Sequence, residues 1–193
     1  MPIPAIPVEV ALINVDYIKK FTNVNGSVDD NILKPCIILA QDKWVSPYLG
    51  DDLMAKIKSD VSAGTISGNY LTLYQNYIMR ALCWWSLVEA IPSLMYKIDN
   101  GTIVQRISED TQPISDEVSK DMINKIQGNA KYYTKRLVEY LCENSSLFPE
   151  YSSNTSPKRC PRTDVYGQFN YGISSGNSAM GSTGYNKRIS QIP

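Results

Sequence analysis

The sequence predicts an all-α fold: a small helical bundle of about four main helices, with one short β-hairpin or extended loop and a long irregular C-terminal arm. Three observations carry this. Apolar residues recur at steps of three and four through Val28–Ile57, Tyr70–Tyr96 and Ser115–Asn144. Asn100-Gly101 lies between two short β-prone runs, which is a hairpin signal. After Asn144 the last 49 residues hold ten serines and five glycines but only five of Leu, Ile and Val, too few for a core.

The elements follow in order. Pro2, Pro4 and Pro7 keep the first residues out of a helix, giving an extended arm over 1–13. Asn14 suits an N-cap for a short helix through Phe21, and Asn23–Ser27 reads as a turn in which Gly26 is able to take a positive φ. In the next helix Ile32, Leu33, Cys36, Ile37, Ala40 and Trp44 form a stripe, behind the acidic start Asp29-Asp30. Pro35 fits only near its first turn, and Pro47 is expected to end it. After Gly50, Asp51 and Asp52 open a helix burying Leu53, Ile57 and Val61, and Ser62–Asn69 is a loop. Tyr70–Tyr96 is apolar on two faces and should be the central helix, kinked or ended near Pro92. The hairpin or loop covers 96–107. Ser115 caps the last long helix, with the stripe Val118, Met122, Ile126, Ala130, Tyr133, Leu137 and Leu141. The bundle thus spans 14–146 and the extended tail 147–193.

Composition narrows the function. Over 193 residues, 43% are hydrophobic and 20% charged, as in a soluble globular domain. Nineteen basic residues balance nineteen acidic ones, so no net field attracts nucleic acid or an anionic membrane. The start MPIPAIPVEV has neither a basic n-region nor an apolar helix, and no apolar run has the length of a membrane span. The expected setting is a cytoplasm or an assembled particle. Cys36, Cys83, Cys142 and Cys160 lie far apart, three of them within helical apolar patterns, which suits reduced core thiols.

Catalytic chemistry has little to work with. The chain has no histidine, the usual general base and the commonest metal ligand. The cysteines lack metal-ligand spacing, and no glycine-rich phosphate loop follows a strand. The acidic pairs Asp29-Asp30, Asp51-Asp52, Glu109-Asp110 and Asp116-Glu117 fall mostly at helix starts, where the helix dipole accounts for them. Trp84, Trp85, Tyr74 and Tyr77 read as core rather than as a ligand cage. The reading is of no enzyme, with no catalytic, cofactor-binding or metal-binding residue. The tail keeps six aromatics and is mildly basic, the composition of a segment that docks on a partner.

The segment VDDNILKPCIILAQDKWVSPYLGDDLMAKI carries an acidic helix start, then Ile38-Leu39-Ala40-Gln41-Asp42, Pro47, Leu49-Gly50 and Leu53. It resembles the N-terminal helices of the head-to-tail connector, or adaptor, proteins of tailed bacteriophages, particularly the ring proteins of crAss-like phages that infect gut Bacteroidales. The likeness extends more loosely to LINVDYIKKFTNVNG, NGTIVQR, the last long helix and LFPEY at Leu147–Tyr151, about three quarters of the chain. It implies a helical bundle with protruding loops and a long C-terminal arm. It also implies a structural virion protein: a homo-oligomeric ring, expected to be a dodecamer, bound to the portal protein and to other neck or tail rings. DNA would pass through the lumen, and no membrane would be involved. The expected location is the neck of the virion, with host cytoplasm during assembly. Arm, hairpin and tail would make the contacts, through Pro4, Pro7, Asn100, Gly101, Phe148, Tyr151, Lys158, Arg159, Arg162, Tyr166, Phe169, Tyr171, Tyr185, Lys187 and Arg188. The alternatives are a small helical adaptor or regulator that docks its tail on a host protein and, less well supported, a metal-dependent enzyme using Asp51 or Asp110.

Overall fold

Asn14 begins the helical part of the chain, its side-chain oxygen accepting the Tyr17 N–H at 2.9 Å to cap α1 (Val15–Phe21). The computed structural model describes residues 9–105, 116–153 and 160–163, and these are mostly helical. The turn after α1 is held by Asn25, which accepts the Ser27 and Val28 N–H groups. Gly26 does not use the positive φ open to it, since Asn25 closes the turn without it.

Asp29 caps α2 (Asp30–Ala40) by accepting the Asn31 N–H. This helix runs through Pro35, which stays exposed while Leu33, Cys36, Ile37 and Ala40 turn inward. Its last turn widens into a π-helical turn over Gln41–Val45, and α3 (Ser46–Ala63) follows directly. Pro47 therefore does not stop the helix. It sits in the first turn of α3, where a missing N–H costs no bond. The break comes at Gly50, with φ 75° and ψ 165°, a conformation essentially restricted to glycine. Gly64 then closes α3 in the left-handed conformation, φ 67°.

The expected loop shortens to four residues, because α4 (Gly68–Leu73) starts early. A second π-helical turn, Tyr74–Ile78, leads into α5 (Met79–Met95). This helix carries Pro92 within it and ends three residues later at Met95. It is the central helix, packed against α1, α2 and α6 (Asp116–Glu143). Eight of its side chains between Ala81 and Ala90 are buried, which matches its apolar character on two faces. Trp85 stacks on Trp44 at 3.8 Å and donates to Thr134 at 2.8 Å, joining the first π-helical turn, α5 and α6 at one point.

Between α5 and α6 stands an antiparallel hairpin of β1 (Tyr96–Asp99) and β2 (Thr102–Gln105), with Tyr96 opposite Gln105 and Asp99 opposite Thr102. Asn100 and Gly101 form its two-residue turn with φ 43° and 89°, the positive values that a tight hairpin turn needs. After α6 come a 3-10 turn (Ser145–Leu147) and α7 (Pro149–Ser152). The packed unit does not stop at 146: Phe148 is fully buried, edge-on to Tyr70 at 5.4 Å, and Glu150 accepts the Tyr70 hydroxyl at 2.6 Å. Among the described residues no helix is long and apolar enough to cross a membrane.

Candidate interaction surface

Among the described residues, the register of α5 against α6 leaves one end of the bundle uncovered. Tyr77 stacks on Tyr140, and Trp85 bonds to Thr134, so the two helices run antiparallel. Carried forward from the Trp85–Thr134 pair, this register sets Met95, the last residue of α5, level with about Asn124 on α6. The first turns of α6 therefore extend about 12 Å past α5, at 1.5 Å per residue. Val118 and Met122, expected in the core stripe, are exposed for this reason. The hairpin leaves α5 at the same end, with Tyr96, Ile103 and Val104 also exposed. Ile103 is 73% accessible, and five exposed apolar side chains thus share one end of the bundle.

At the two π-helical turns, side chains bind the N-terminal segment. Gln41, fully buried, accepts the Leu12 N–H at 2.9 Å and donates to the Val10 carbonyl at 3.1 Å. The Tyr74 hydroxyl donates to the Leu12 carbonyl at 2.6 Å. Leu12 and Ile13 are thereby held in the core. Lys58 adds an ion pair to Glu9 at 2.8 Å. Gln41 interrupts an apolar run at a stripe position, four residues after Ile37, and a buried amide there requires polar partners. That polar interruption is the sequence signal for the clamp.

The expected contact residues divide into three groups. Pro4, Pro7, Lys158, Arg159, Tyr166, Phe169, Tyr171, Tyr185, Lys187 and Arg188 lie outside the described residues. Asn100 and Gly101 are exposed at the hairpin tip, and the Arg162 N–H donates to the Pro47 carbonyl at 2.8 Å, bringing 160–163 back to the start of α3. Phe148 and Tyr151 are corrections. Both are buried in this chain's own core, since Phe148 fills the space between Tyr70 and Tyr140, so neither is free to meet a partner.

Among the described residues, no buried side-chain nitrogen or oxygen lacks a hydrogen-bond partner. Glu89, only 9% accessible, accepts from Lys43 at 2.9 Å and from the Trp44 indole N–H. Burial pushes the Cys83 thiol up to about 12 and raises Cys36, helped there by the Glu89 charge. Both thiols are thus protonated at neutral pH and poor nucleophiles. Cys142, expected in the core, lies on the exposed side of α6, and Cys160 is exposed. Asp30 is held below the usual carboxylate range by its hydrogen bond and ion pair with Lys19. Among the described residues, no three His, Cys, Asp or Glu side chains gather as a metal site.

Residues 45–161, more than half of the chain, match the model of a family described as "Family of unknown function (DUF6712)". The chain belongs to the DUF6712 family. No curated protein and no solved structure matches it. The DUF6712 region starts at Val45 in the first π-helical turn and takes in α3 to α7. It includes the Gly50 break, the hairpin and the uncovered end of α6, and it leaves out the clamped N-terminal segment, α1 and α2.

Proposed function

We propose that this DUF6712 member is a non-catalytic structural subunit of a ring in the neck of a tailed phage. In this reading it lies between portal and tail, with DNA passing through the ring. The observation that supports it is the uncovered apolar end, where Tyr96, Ile103, Val104, Val118 and Met122 project beyond the packed helices. Full burial of one such side chain is worth about 1.5–3 kcal/mol, so a protein partner that covers this end gains on the scale of a specific contact. The hairpin and the end of α6 stand out from the packed bundle, as a platform element in a stack of rings must. The resemblance of Val28–Ile57 to connector proteins supplies the setting.

The test is assembly. The purified protein mixed with its portal should form rings on portal particles, read by mass photometry and negative-stain microscopy. Failure to associate with portal under any condition overturns the reading. The double variant Val118→Asn, Met122→Gln should melt within a few degrees of the wild type, because both side chains are already exposed, yet lose portal binding. Undiminished binding removes this end as the contact surface.

A further inference from the structure

The break in α3 turns a backbone acceptor out of its own helix. In an unbroken helix the Pro47 carbonyl would take the Asp51 N–H, four residues on. Gly50, at φ 75° and ψ 165°, swings the following peptide off the helical course, so that bond cannot form. The carbonyl of the half-buried Pro47 accepts the Arg162 N–H at 2.8 Å instead.

The segment that supplies this donor is suited to the contact. Pro161 fixes its own φ and biases Cys160 to extended backbone, and because it has no N–H it makes Arg162 the first donor after Cys160. Little chain entropy is lost on docking. Pro161 is half-buried, while Cys160, Arg162 and Thr163 stay exposed. The contact is light. The chain comes to it from a much firmer one, where Phe148 is fully buried between Tyr70 and Tyr140 and Glu150 accepts the Tyr70 hydroxyl.

We propose that residues 160–163 form a reversible latch on the acceptor that the Gly50 break opens, and that this latch fixes where the chain beyond Thr163 leaves the bundle. One hydrogen bond favours the closed form by about two- to tenfold. A latch that weak opens without unfolding the bundle, because Phe148 and Glu150 keep their hold. The family match points the same way: it begins at Val45, two residues before the acceptor, and ends at Pro161, one residue before the donor. The contact thus ties the two ends of the DUF6712 region together. It lies within one chain, so it does not rest on a place in a phage neck.

The experiment places a nitroxide on Cys160 in the full chain carrying Cys142→Ser, which leaves Cys160 as the exposed thiol. In isotope-enriched protein the label should broaden the amide signals of residues 48–53. Arg162→Pro removes the donor and should cut that broadening about twofold or more, while Arg162→Ala keeps the N–H and should retain it. Equal broadening in the parent chain and Arg162→Pro, or none in the parent chain, overturns the proposal. So does an Arg162→Ala variant that loses as much as Arg162→Pro, since the side chain would then hold the segment. Arg162→Pro should melt within a few degrees of the parent chain, and a large loss of stability would mean that 160–163 is part of the fold and no latch. In a mixture of labelled, unenriched chains with unlabelled, enriched ones, residues 48–53 should stay sharp. Broadening there would bring the segment from a second copy and overturn the proposal as well.

Discussion

Replacing Gln41 with Leu should loosen the N-terminal segment and destabilise the whole fold. The amide is fully buried and makes two long-range bonds, accepting from Leu12 and donating to Val10. Leu fills a similar volume and makes neither. The Leu12 N–H, shut away from water, then carries a desolvation penalty of about 1–3 kcal/mol, and the part-buried Val10 carbonyl loses about 0.5–1.5 kcal/mol. A net loss of about 2–4 kcal/mol follows. It stays below the cost of releasing the segment, because Leu12 and Ile13 would each give up about 1.5–3 kcal/mol of burial and the Tyr74 bond would break. The variant should keep the segment docked but weakly held. Urea unfolding followed by Trp44 and Trp85 fluorescence should show a lower midpoint at an unchanged slope, and the Leu12 amide should exchange faster with solvent. Gln41→Glu sharpens the test: its carboxylate accepts from Leu12 but cannot donate to Val10 until protonated, so that variant should gain stability as pH falls. A loss under about 0.5 kcal/mol, or unchanged Leu12 protection, would refute the clamp.

Three further outcomes are expected. Gly50→Ala should cost about 1–3 kcal/mol in chemical denaturation, because a Cβ is strained at φ 75°, ψ 165°; a neutral result would mean the break lies elsewhere. Phe148→Ala should lose about 3–5 kcal/mol, as for a fully buried aromatic, whereas a side chain reserved for a partner would lose almost nothing in the isolated protein. Alkaline pH should weaken the fold. Cys83, Tyr70 and Tyr151 are pushed up to about 12, chiefly by burial, from 9.0 for the thiol and 10.0 for the phenols. The folded state therefore retains protons that the unfolded chain releases. Their contribution is complete below about pH 9 and is lost as pH climbs toward 12. A melting temperature flat from about pH 8 to about pH 11 would contradict this.

Helices and hairpin were legible in the sequence because their signals are local. Asn14, Asp29 and the Asn100-Gly101 pair act within a few residues, and the two-sided apolar pattern of α5 reported its central place. What escaped was set by distant neighbours. Val118 and Met122 keep the stripe of α6 but lie beyond the end of α5, and periodicity carries no information about where the partner helix stops. Phe148 and Tyr151 sit in a segment of tail-like composition, and only the pocket beside Tyr70 and Tyr140 brings Phe148 inside. Pro47 looked like a stop because prolines usually are. The π-helical turn before it restarts the helix so that the proline occupies a first turn.

Those two π-helical turns carry a consequence of their own. Gln41 opens one and Tyr74 opens the other, and these are the two side chains that grip Leu12. A π turn accommodates one residue more than an α turn, so its relaxation to regular helix would rotate everything downstream by about 100° about the axis. Both turns are thus anchored to the same short stretch of backbone; one of them carries Trp44 and the other leads into the helix of Trp85, the two indoles that stack face to face.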